Sequence, residues 1–356
     1  MGGMKAIVLE RPGSVALAEC AEPALLEPGD AIVRVTTAAI CGSDLHIVSG
    51  RDRGVVPGTI MGHEFVGAIE ALGPEVEGLA LGDRVLAPFT INCGRCFYCR
   101  RELPARCQAS LGFGFVTEGG RGLQGAQAER VRVPLASSTL LKLAAAYDDG
   151  TPLRDQDALL LGDIFSTAYS SAEQAGIRSG DVVAVVGCGP VGLLAVRAAG
   201  LFDAGTIVAI DTVGYRLEQA RAWGAQTCAP EHAGAAVAAR TEGRGADAVI
   251  EAVGSPAALD LALELGRPGA IVSIAGYHTE PRYPLPIQAA YGKNLTLTIG
   301  RCNARLYMDR LMPLVLSKRV EWDGIFSHVL PLDEGVRGYQ LFANRLDRAI
   351  KILLKP

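Results

Sequence analysis

Short apolar runs separated by proline and glycine turns occupy the first part of the chain. Runs at residues 5–9, 31–35 and 65–69 are rich in strand-forming residues, and turns such as Pro12-Gly13 and Pro28-Gly29 lie between them. Strand-length runs bounded by such turns are typical of all-β structure. The pattern therefore predicts a β-barrel-like domain with long loops over roughly the first 150 residues.

The apolar pattern changes near residue 157, where strand-length and helix-length segments begin to alternate. Strands are predicted at residues 182–186, 206–210, 246–250, 270–274 and 295–299, and helices up to residue 202 and at 215–223 and 256–265. Strands separated by helices of roughly 10–15 residues predict βαβ units and a parallel sheet. A helix at 305–316 and a terminal strand at 349–354 complete an α/β pattern.

Length and charge narrow the class of protein. A chain of 356 residues predicts two domains, because a single core rarely grows far past roughly 250 residues. The net charge is −4 and basic runs are absent, which disfavours nucleic acid and anionic membranes as partners. The apolar runs are strand-length, and the N-terminus lacks the apolar core of a signal peptide, so neither a membrane helix nor secretion is predicted.

The cysteines give the first chemical signal. The chain has nine, an odd number, and four of them fall within fifteen residues as Cys93-x2-Cys96-x2-Cys99-x7-Cys107. This spacing is typical of a zinc site closed by four thiolates, which is a structural site, and the reduced thiols favour a cytoplasmic location. An iron-sulfur cluster and a set of buried free thiols are the alternatives, and the arginines of this polar loop argue against buried thiols.

A second motif follows the predicted strand at residues 182–186. The loop reads G-C-G-P-V-G, opens a helix, and precedes by 19 residues an acid, Asp211, that ends the next strand. This context is the dinucleotide fingerprint, in which glycines admit a pyrophosphate and the acid accepts hydrogen bonds from the ribose hydroxyls. Asp211 would repel a 2′-phosphate, which favours NAD over NADP, although Arg216 stands one helical turn further on. The predicted loop contacts are Gly187, Gly189, Pro190, Val191 and Gly192.

The richest chemistry lies in residues 41–64, which carry Cys41, Ser43, Asp44, His46, His63 and Glu64. Thiolate and imidazole are ligands that zinc prefers, and a catalytic zinc takes three protein ligands and keeps one open position. Cys41 and His63 would supply two of the three. The third is open between Glu64 and Asp163, a carboxylate that follows an apolar run. Each of these residues alone is as well explained by a buried thiol, a core imidazole or a helix cap.

Taken together and in this order, the motifs resemble those of the zinc-containing medium-chain alcohol dehydrogenases. The resemblance covers essentially the whole chain and includes C-G-S-D-L-H from Cys41, Gly62-His63-Glu64, the four-cysteine lobe, the glycine loop, Asp211 and Glu251-Ala252-Val253-Gly254. It implies a GroES-like β-barrel catalytic domain at residues 1–163 and 300–356 with a zinc lobe at 92–108. It also implies a Rossmann domain, a doubly wound parallel sheet that binds NAD, at residues 164–299.

The resemblance also implies residue roles. It makes Asp163 the third ligand of the catalytic zinc, as in bacterial secondary-alcohol and glutathione-independent formaldehyde dehydrogenases. It places Val253 and Arg348 at cofactor-contacting positions. Ser43 is expected to take the hydroxyl proton and relay it through the nicotinamide ribose to His46.

Two further carboxylates complete the expected site. Asp44 is expected to hydrogen-bond the far nitrogen of His63 and so fix its tautomer. Glu64 is expected to approach the metal during exchange of water or substrate. For Ser43 and Asp44, turn or cap chemistry is the plainer alternative.

The predicted function is oxidation of a small or medium-sized alcohol, secondary or a diol, to a ketone or aldehyde, with two zinc ions per chain and NAD. An aldehyde dehydrogenase or dismutase with tightly bound NAD is the alternative, and a non-catalytic nucleotide-binding protein is a third. The intact set of zinc-binding residues disfavours a zinc-free reductase. The resemblance also implies that Rossmann sheets pair edge to edge, with residues 295–300 as the edge strand, and because a bare apolar edge favours pairing, a homodimer or homotetramer is expected.

Overall fold

The computed structural model describes residues 3–52 and 54–356, which form two compact units. The first unit contains the chain up to Ser166 together with Asn303–Pro356, and the second is Thr167–Cys302. Both divisions fall three residues after the predicted ones, at 166 rather than 163 and at 302 rather than 299. In the first unit, the ring of Phe165 packs edge-on against Trp322 with centroids 4.7 Å apart, which holds residues 164–166 to that unit.

The strands of the described chain are numbered in order. They are β1 (Gly3–Arg11), β2 (Ser14–Ala21), β3 (Ala31–Ile40), β4 (Glu64–Leu72), β5 (Arg84–Leu86), β6 (Arg130–Val133), β7 (Leu141–Lys142), β8 (Val182–Val186), β9 (Thr206–Ile210), β10 (Gln226–Cys228), β11 (Ala246–Glu251), β12 (Gly266–Ile274), β13 (Thr296–Ile299), β14 (Phe326–Pro331) and β15 (Lys351–Lys355).

The helices are numbered in the same way. They are α1 (Gly42–Val48), α2 (Ala136–Thr139), α3 (Asp155–Leu159), α4 (Ile164–Gln174), α5 (Pro190–Leu201), α6 (Gly214–Ala222), α7 (Ala233–Thr241), α8 (Pro256–Leu265), α9 (Ile287–Gly292), α10 (Ala304–Leu316) and α11 (Gly335–Ala343). Short 3-10 turns occur at Cys99–Arg101, Pro104–Arg106, Leu160–Gly162, Pro230–His232, Leu332–Glu334 and Leu346–Arg348. In the described chain, no helix is both long and apolar enough to cross a membrane.

The first unit is built on a seven-stranded sheet. Its strand order is β14-β15-β3-β4-β5-β7, and β6 pairs with β3 at the side. Alternate residues of these strands point into an apolar core, where Phe65 meets Phe113 edge-on at 5.2 Å between ring centroids. The β-rich first part of the chain is therefore confirmed, and the C-terminal strand β15 joins its sheet beside β3.

Strand register in this sheet brings the richest motif together. β3 and β4 run antiparallel, with Ala39 opposite Glu64, so the end of one strand meets the start of the other. Cys41 directly follows β3, and His63 directly precedes β4. Two residues that lie 22 apart in sequence therefore stand side by side because of an ordinary antiparallel pairing.

The second unit is a six-stranded parallel sheet flanked by helices. Its order is β10-β9-β8-β11-β12-β13, and every pairing is parallel. Numbered from its first strand, this is the 3-2-1-4-5-6 order of doubly wound nucleotide-binding sheets, in which ligands bind at the carboxyl ends of the strands. The predicted βαβ pattern is confirmed, and β13 forms one edge of the sheet, as expected for residues 295–300.

Candidate metal and cofactor sites

Three side chains of the first unit converge as one potential metal site. Cys41 Sγ, a ring nitrogen of His63 and a carboxylate oxygen of Asp163 all lie within 4.8 Å of one another. Asp163 lies between the 3-10 turn at Leu160–Gly162 and the start of α4. The structure thus places Asp163 beside Cys41 and His63, as the resemblance implied.

The spacing of these atoms suits a small tetrahedral cation. His63 Nε2 lies 3.2 Å and Cys41 Sγ 3.5 Å from Asp163 Oδ2. With zinc bonds of about 2.0–2.3 Å, tetrahedral geometry requires nitrogen–oxygen and sulfur–oxygen separations of about 3.4 and 3.6 Å. Zinc therefore fits this donor set with almost no side-chain movement.

The two ring nitrogens of His63 face different groups, as expected for a metal-binding histidine. Nε2 faces the other ligand atoms, while Nδ1 lies 3.2 Å from Oδ1 of the buried Asp44. A carboxylate at that position selects the tautomer that leaves Nε2 free for a metal. Ser43 Oγ lies 3.3 Å from Nε2, so the hydroxyl predicted to move the proton is next to the ligand cluster.

The charges of the cluster also favour a cation. Burial raises the pKa of the Cys41 thiol, and the carboxylates of Glu64 and Asp163 raise it further. Burial opposes protonation of His63, but Asp44 and Asp163 outweigh it and raise the imidazole pKa well above its usual value. A divalent cation bound here would neutralise the same acids, so the charges of the cluster suit a metal ion.

Glu64 has a different neighbour from the one its sequence position suggested. Its buried carboxylate forms an ion pair with the ammonium group of Lys351 on β15, and both side chains are fully buried. Lys351 Nζ also donates to the carbonyl of Ile40 at 3.1 Å. One buried cation thus ties together the residue before Cys41 and the residue after His63.

Lys351 was missed by sequence reasoning. Its position in an apolar C-terminal run, I-K-I-L-L, gives no local sign of function, although a lysine in a buried strand is itself a signal. Burial lowers the pKa of the Lys351 ammonium, but the acidic Glu64 and Cys41 raise it above its usual value overall. The group therefore remains charged in the interior of the first unit.

Two other missed residues, Gln127 and Tyr339, stand behind Asp44. Gln127 Nε2 lies 3.1 Å from Asp44 Oδ2, and the hydroxyl of Tyr339 donates to Gln127 Oε1 at 2.8 Å. Both side chains are buried. Neither residue belongs to a recognised metal-binding motif, so the sequence around them does not predict a role at the metal site.

The four cysteines of the lobe form a second cluster. Their sulfur atoms all lie within 4.8 Å of one another, with Cys96 Sγ 3.6 Å from Cys99 Sγ and 3.9 Å from Cys107 Sγ. A tetrahedron with zinc–sulfur bonds of about 2.3 Å has edges of about 3.8 Å, so the spacing fits. Backbone N–H groups of Cys99 and Gln108 lower the pKa of Cys96 to about 6, which favours the thiolate form there.

The glycine loop of the second unit has the geometry of a phosphate cradle. Residues 187–192 lead from β8 into α5, with Gly189 as the N-cap and Pro190 in the first turn. A Cβ at Gly192 would stand 1.8 Å from the carbonyl oxygen of Gly187, so only glycine allows the helix to begin this close to the strand. Val191 occupies the first turn of α5, whose free N–H groups favour an anion.

Asp211 closes this loop from the neighbouring strand. Its oxygens accept hydrogen bonds from the backbone N–H of Cys188 at 2.6 Å and of Val213 at 2.8 Å. The guanidinium of Arg216 approaches to 3.9 Å from Asp211 Oδ2, and its side chain is only 14% exposed. The predicted acid and the predicted arginine therefore lie together beside the glycine loop.

The remaining predicted residues are His46, Val253 and Arg348, and the structure gives each a different setting. His46 lies on α1 three residues after Ser43, on the same side of the helix. Val253 follows β11 and is 47% exposed, and its side chain faces Gly187 closely enough to contact a Cβ there. Arg348 is exposed, in a 3-10 turn of the first unit, and its cofactor role stays a prediction.

Comparison with known proteins adds independent information. The family model of the alcohol dehydrogenase GroES-like domain matches residues 27–144, and that of the zinc-binding dehydrogenases matches residues 190–317. A probable zinc-binding alcohol dehydrogenase of Mycobacterium tuberculosis is 38% identical over 99% of this chain and 89% of its own length.

Solved structures agree with these matches. Alcohol dehydrogenase TADH from Thermus sp. ATN1 is 43% identical with a TM-score of 0.91, and the match covers 99% of both chains. A putative zinc-binding dehydrogenase from Sinorhizobium meliloti 1021 with bound NADP is 26% identical with a TM-score of 0.83 over 100% of both chains.

Proposed function

This chain belongs to the zinc-containing medium-chain alcohol dehydrogenase family, and we propose that it oxidises small or medium-sized secondary alcohols or diols with NAD. The observation that carries the proposal is the convergence of Cys41, His63 and Asp163 on one tetrahedral-sized space. A zinc ion there would act as a Lewis acid that lowers the pKa of a substrate hydroxyl. A second zinc, held by the four cysteines, would be structural.

The protein's own residues would handle the proton. Ser43 Oγ is 3.3 Å from the metal-facing nitrogen of His63, so a substrate hydroxyl at the open position would lie within its reach. Ser43 would accept that proton, and His46 on the same side of α1 would exchange it with solvent. Among the described residues Glu64 Oε1 has no hydrogen-bond partner, which leaves it able to turn toward the metal during ligand exchange.

Replacing Ser43 with alanine is expected to lower turnover by about 10²-fold or more, because general acid–base groups typically contribute 10²–10⁴-fold. Zinc content and NAD affinity should stay unchanged. Steady-state oxidation of 2-propanol and 2-butanol measures the effect, with metal analysis and NADH binding alongside. Ser49→Ala is the matched control and should keep its rate, since it removes a hydroxyl at the end of the same helix that donates to the His46 carbonyl and accepts from Arg51 Nε. Normal turnover in Ser43→Ala would end the proposed proton role.

NAD is the proposed cofactor because Asp211 stands at the position that contacts the adenosine ribose. NAD would accept hydride from the alcohol carbon. The carboxylate would bind the ribose hydroxyls and repel a 2′-phosphate, while Arg216 nearby partly offsets that repulsion. The NADP-bound relative makes the preference a question for experiment.

Changing Asp211 to alanine is expected to weaken the binding of NAD. The ratio of kcat/KM for NAD over NADP should shift by roughly tenfold or more toward NADP, because a charge-assisted hydrogen bond is worth about 1.5–3 kcal/mol. Asp211→Asn separates charge from packing, since an amide still accepts from the N–H of Cys188. Both cofactors are assayed with one alcohol at saturating concentration. A ratio equal to that of the unchanged protein in both variants would contradict the assignment.

Assembly is a further part of the proposal. The edge strand β13 carries Ile299, which is 74% exposed, and the preceding α9 exposes Ile287 and Tyr291. An unpaired apolar edge of a sheet is a template for pairing with another copy. We therefore propose a homodimer or homotetramer through β13, and a reducing compartment such as the cytoplasm for a chain whose described cysteines form no disulfide bond.

A further inference from the structure

A chain of buried hydrogen bonds runs from the C-terminal helix α11 toward the ligand His63. It begins at Tyr339, whose ring is 4% exposed and whose hydroxyl donates to Gln127 Oε1 at 2.8 Å. Gln127 is fully buried just before β6. A buried tyrosine hydroxyl needs a partner, and here its partner is the amide oxygen of Gln127.

The amide of Gln127 is fully used. Nε2 donates one hydrogen to the carbonyl of Ala39 at 3.0 Å and the other to Asp44 Oδ2 at 3.1 Å, while Oε1 accepts from Tyr339. A flipped amide would turn its oxygen toward the Ala39 carbonyl and Asp44 Oδ2, which only accept, and so lose both of those bonds, while the Tyr339 hydroxyl could still accept from its NH2. The amide therefore has one orientation, and it presents a fixed donor to Asp44.

Asp44 passes this constraint to the metal-binding residues. Its Oδ2 also accepts from the backbone N–H of Cys41 at 2.9 Å, and its Oδ1 lies 3.2 Å from His63 Nδ1. With a side chain only 1% exposed, Asp44 has little water to replace a lost donor. The position of one carboxylate thus depends on Gln127 and sets both the Cys41 backbone and the plane of the His63 ring.

Packing reinforces the same link. Gly62, directly before His63, has φ +92°, and a Cβ built on it would stand 2.4 Å from Cγ of Gln127. The glutamine stem therefore lies against the backbone that carries His63. Gln127 thus packs against the backbone next to His63, and it is linked to the His63 ring through Asp44.

We propose that Gln127 and Tyr339 are positioning residues of the catalytic metal site, which hold Asp44 and through it the His63 ring in ligand geometry. The inference rests on the proposed zinc role of Cys41, His63 and Asp163. Outer partners of metal ligands typically change metal affinity by 10–100-fold when removed. Tyr339 would thereby make the C-terminal helix α11 part of the metal site through its hydrogen bond to Gln127.

The experiment follows release of zinc from the full-length protein into a chromophoric chelator. Gln127→Met keeps the length of the side chain but removes both donors, and we expect one of two zinc ions to leave about tenfold faster or more. Tyr339→Phe removes only the hydroxyl. We expect the same zinc ion to be released about threefold faster or more, because one neutral hydrogen bond is worth roughly 0.5–1.5 kcal/mol. Release from the four-cysteine lobe should keep its rate in both variants.

A spectroscopic reading separates positioning from a general loss of stability. Cobalt placed in the three-residue site reports ligand geometry through its visible absorption, and the bands should shift in Gln127→Met. Tyr147→Phe is the matched control, since it removes another buried tyrosine hydroxyl of the same unit, one that donates to Asp157. That variant should keep the spectrum and both release rates.

Each outcome has one meaning. Unchanged release and unchanged cobalt bands in both variants overturn the positioning role, as does equal acceleration at both metal sites. If Gln127→Met fails to fold, Tyr339→Phe decides alone, and an unchanged rate there overturns the inference. An unchanged protein that binds metal only in the four-cysteine lobe would instead remove the proposed function on which the inference rests.

Discussion

Alanine in place of Asp163 is expected to abolish alcohol oxidation, with a fall in kcat/KM of about 10³-fold or more, since a Lewis acid contributes several kcal/mol of transition-state stabilisation. Asp163 Oδ2 is the atom that both Cys41 Sγ and His63 Nε2 face, at 3.5 and 3.2 Å. Without it the site has two ligands, one fewer than a catalytic zinc usually takes. NADH formation from a secondary alcohol is the measurement, with circular dichroism to confirm that the fold persists.

Companion substitutions separate the ligand role from packing. Asp163→Asn keeps the shape and loses the charge, so it should behave like the alanine variant. Asp163→Cys supplies another accepted zinc donor and should retain measurable turnover. A rate near that of the unchanged protein in Asp163→Ala would refute the ligand assignment.

Methionine in place of Lys351 is expected to destabilise the protein by about 3–5 kcal/mol, because removing one partner of a buried ion pair leaves an uncompensated charge. Glu64 and Lys351 are both fully buried, and the same ammonium bonds the carbonyl of Ile40. Urea unfolding followed by circular dichroism measures the change. The loss should be accompanied by weaker zinc binding, because the ends of β3 and β4 are no longer tied together.

The chain offers a matched control on the same strand. Lys355, four residues further on, is partly exposed and donates to Thr37 Oγ1 at 2.5 Å, so Lys355→Met should cost far less. The double change Lys351→Met with Glu64→Gln should recover part of the lost stability, since it no longer buries an unpaired charge. Equal destabilisation by Lys351→Met and Lys355→Met would show that the buried pair has no special role.

The fold class followed from the sequence because apolar periodicity reports strands and helices directly. The strands Val182–Val186 and Thr206–Ile210 and the helix Pro256–Leu265 have the bounds that the pattern predicted. The GroES-like and Rossmann architecture is confirmed by the family matches and the related structures. The short helix Gly42–Val48 was not predicted, because seven residues with glycine at the start carry little periodic signal.

The candidate site was predictable where residues form local motifs and unpredictable where they meet through strand pairing. Cys41 and His63 lie in recognisable motifs, and their proximity is a consequence of the β3–β4 register. Lys351 reaches the same place because β15 pairs with β3, with Ile352 opposite Ile40. A pairing between residues more than 300 positions apart leaves no trace in local composition, so no sequence window predicts it.

Glu64 is a second case in which contacts between distant strands could not be predicted from the local sequence. Because its carboxylate follows His63 directly, the sequence leaves Glu64 as an alternative to Asp163 for the third zinc ligand. The structure instead pairs it with Lys351, and Asp163 is the carboxylate that lies with Cys41 and His63. Its role in ligand exchange stays a proposal. Gln127 and Tyr339 show the same limit, since their importance lies in hydrogen bonds between distant segments.

We propose that two zinc ions bind per chain, one of them through Cys41, His63 and Asp163, and that this one is required for alcohol oxidation. Zinc per chain, measured by atomic emission on the unchanged protein and on Asp163→Ala after identical dialysis, tests it most directly. We expect two zinc ions in the former and one in the latter, retained in the four-cysteine lobe. Two zinc ions in Asp163→Ala, or one in the unchanged active protein, would contradict it.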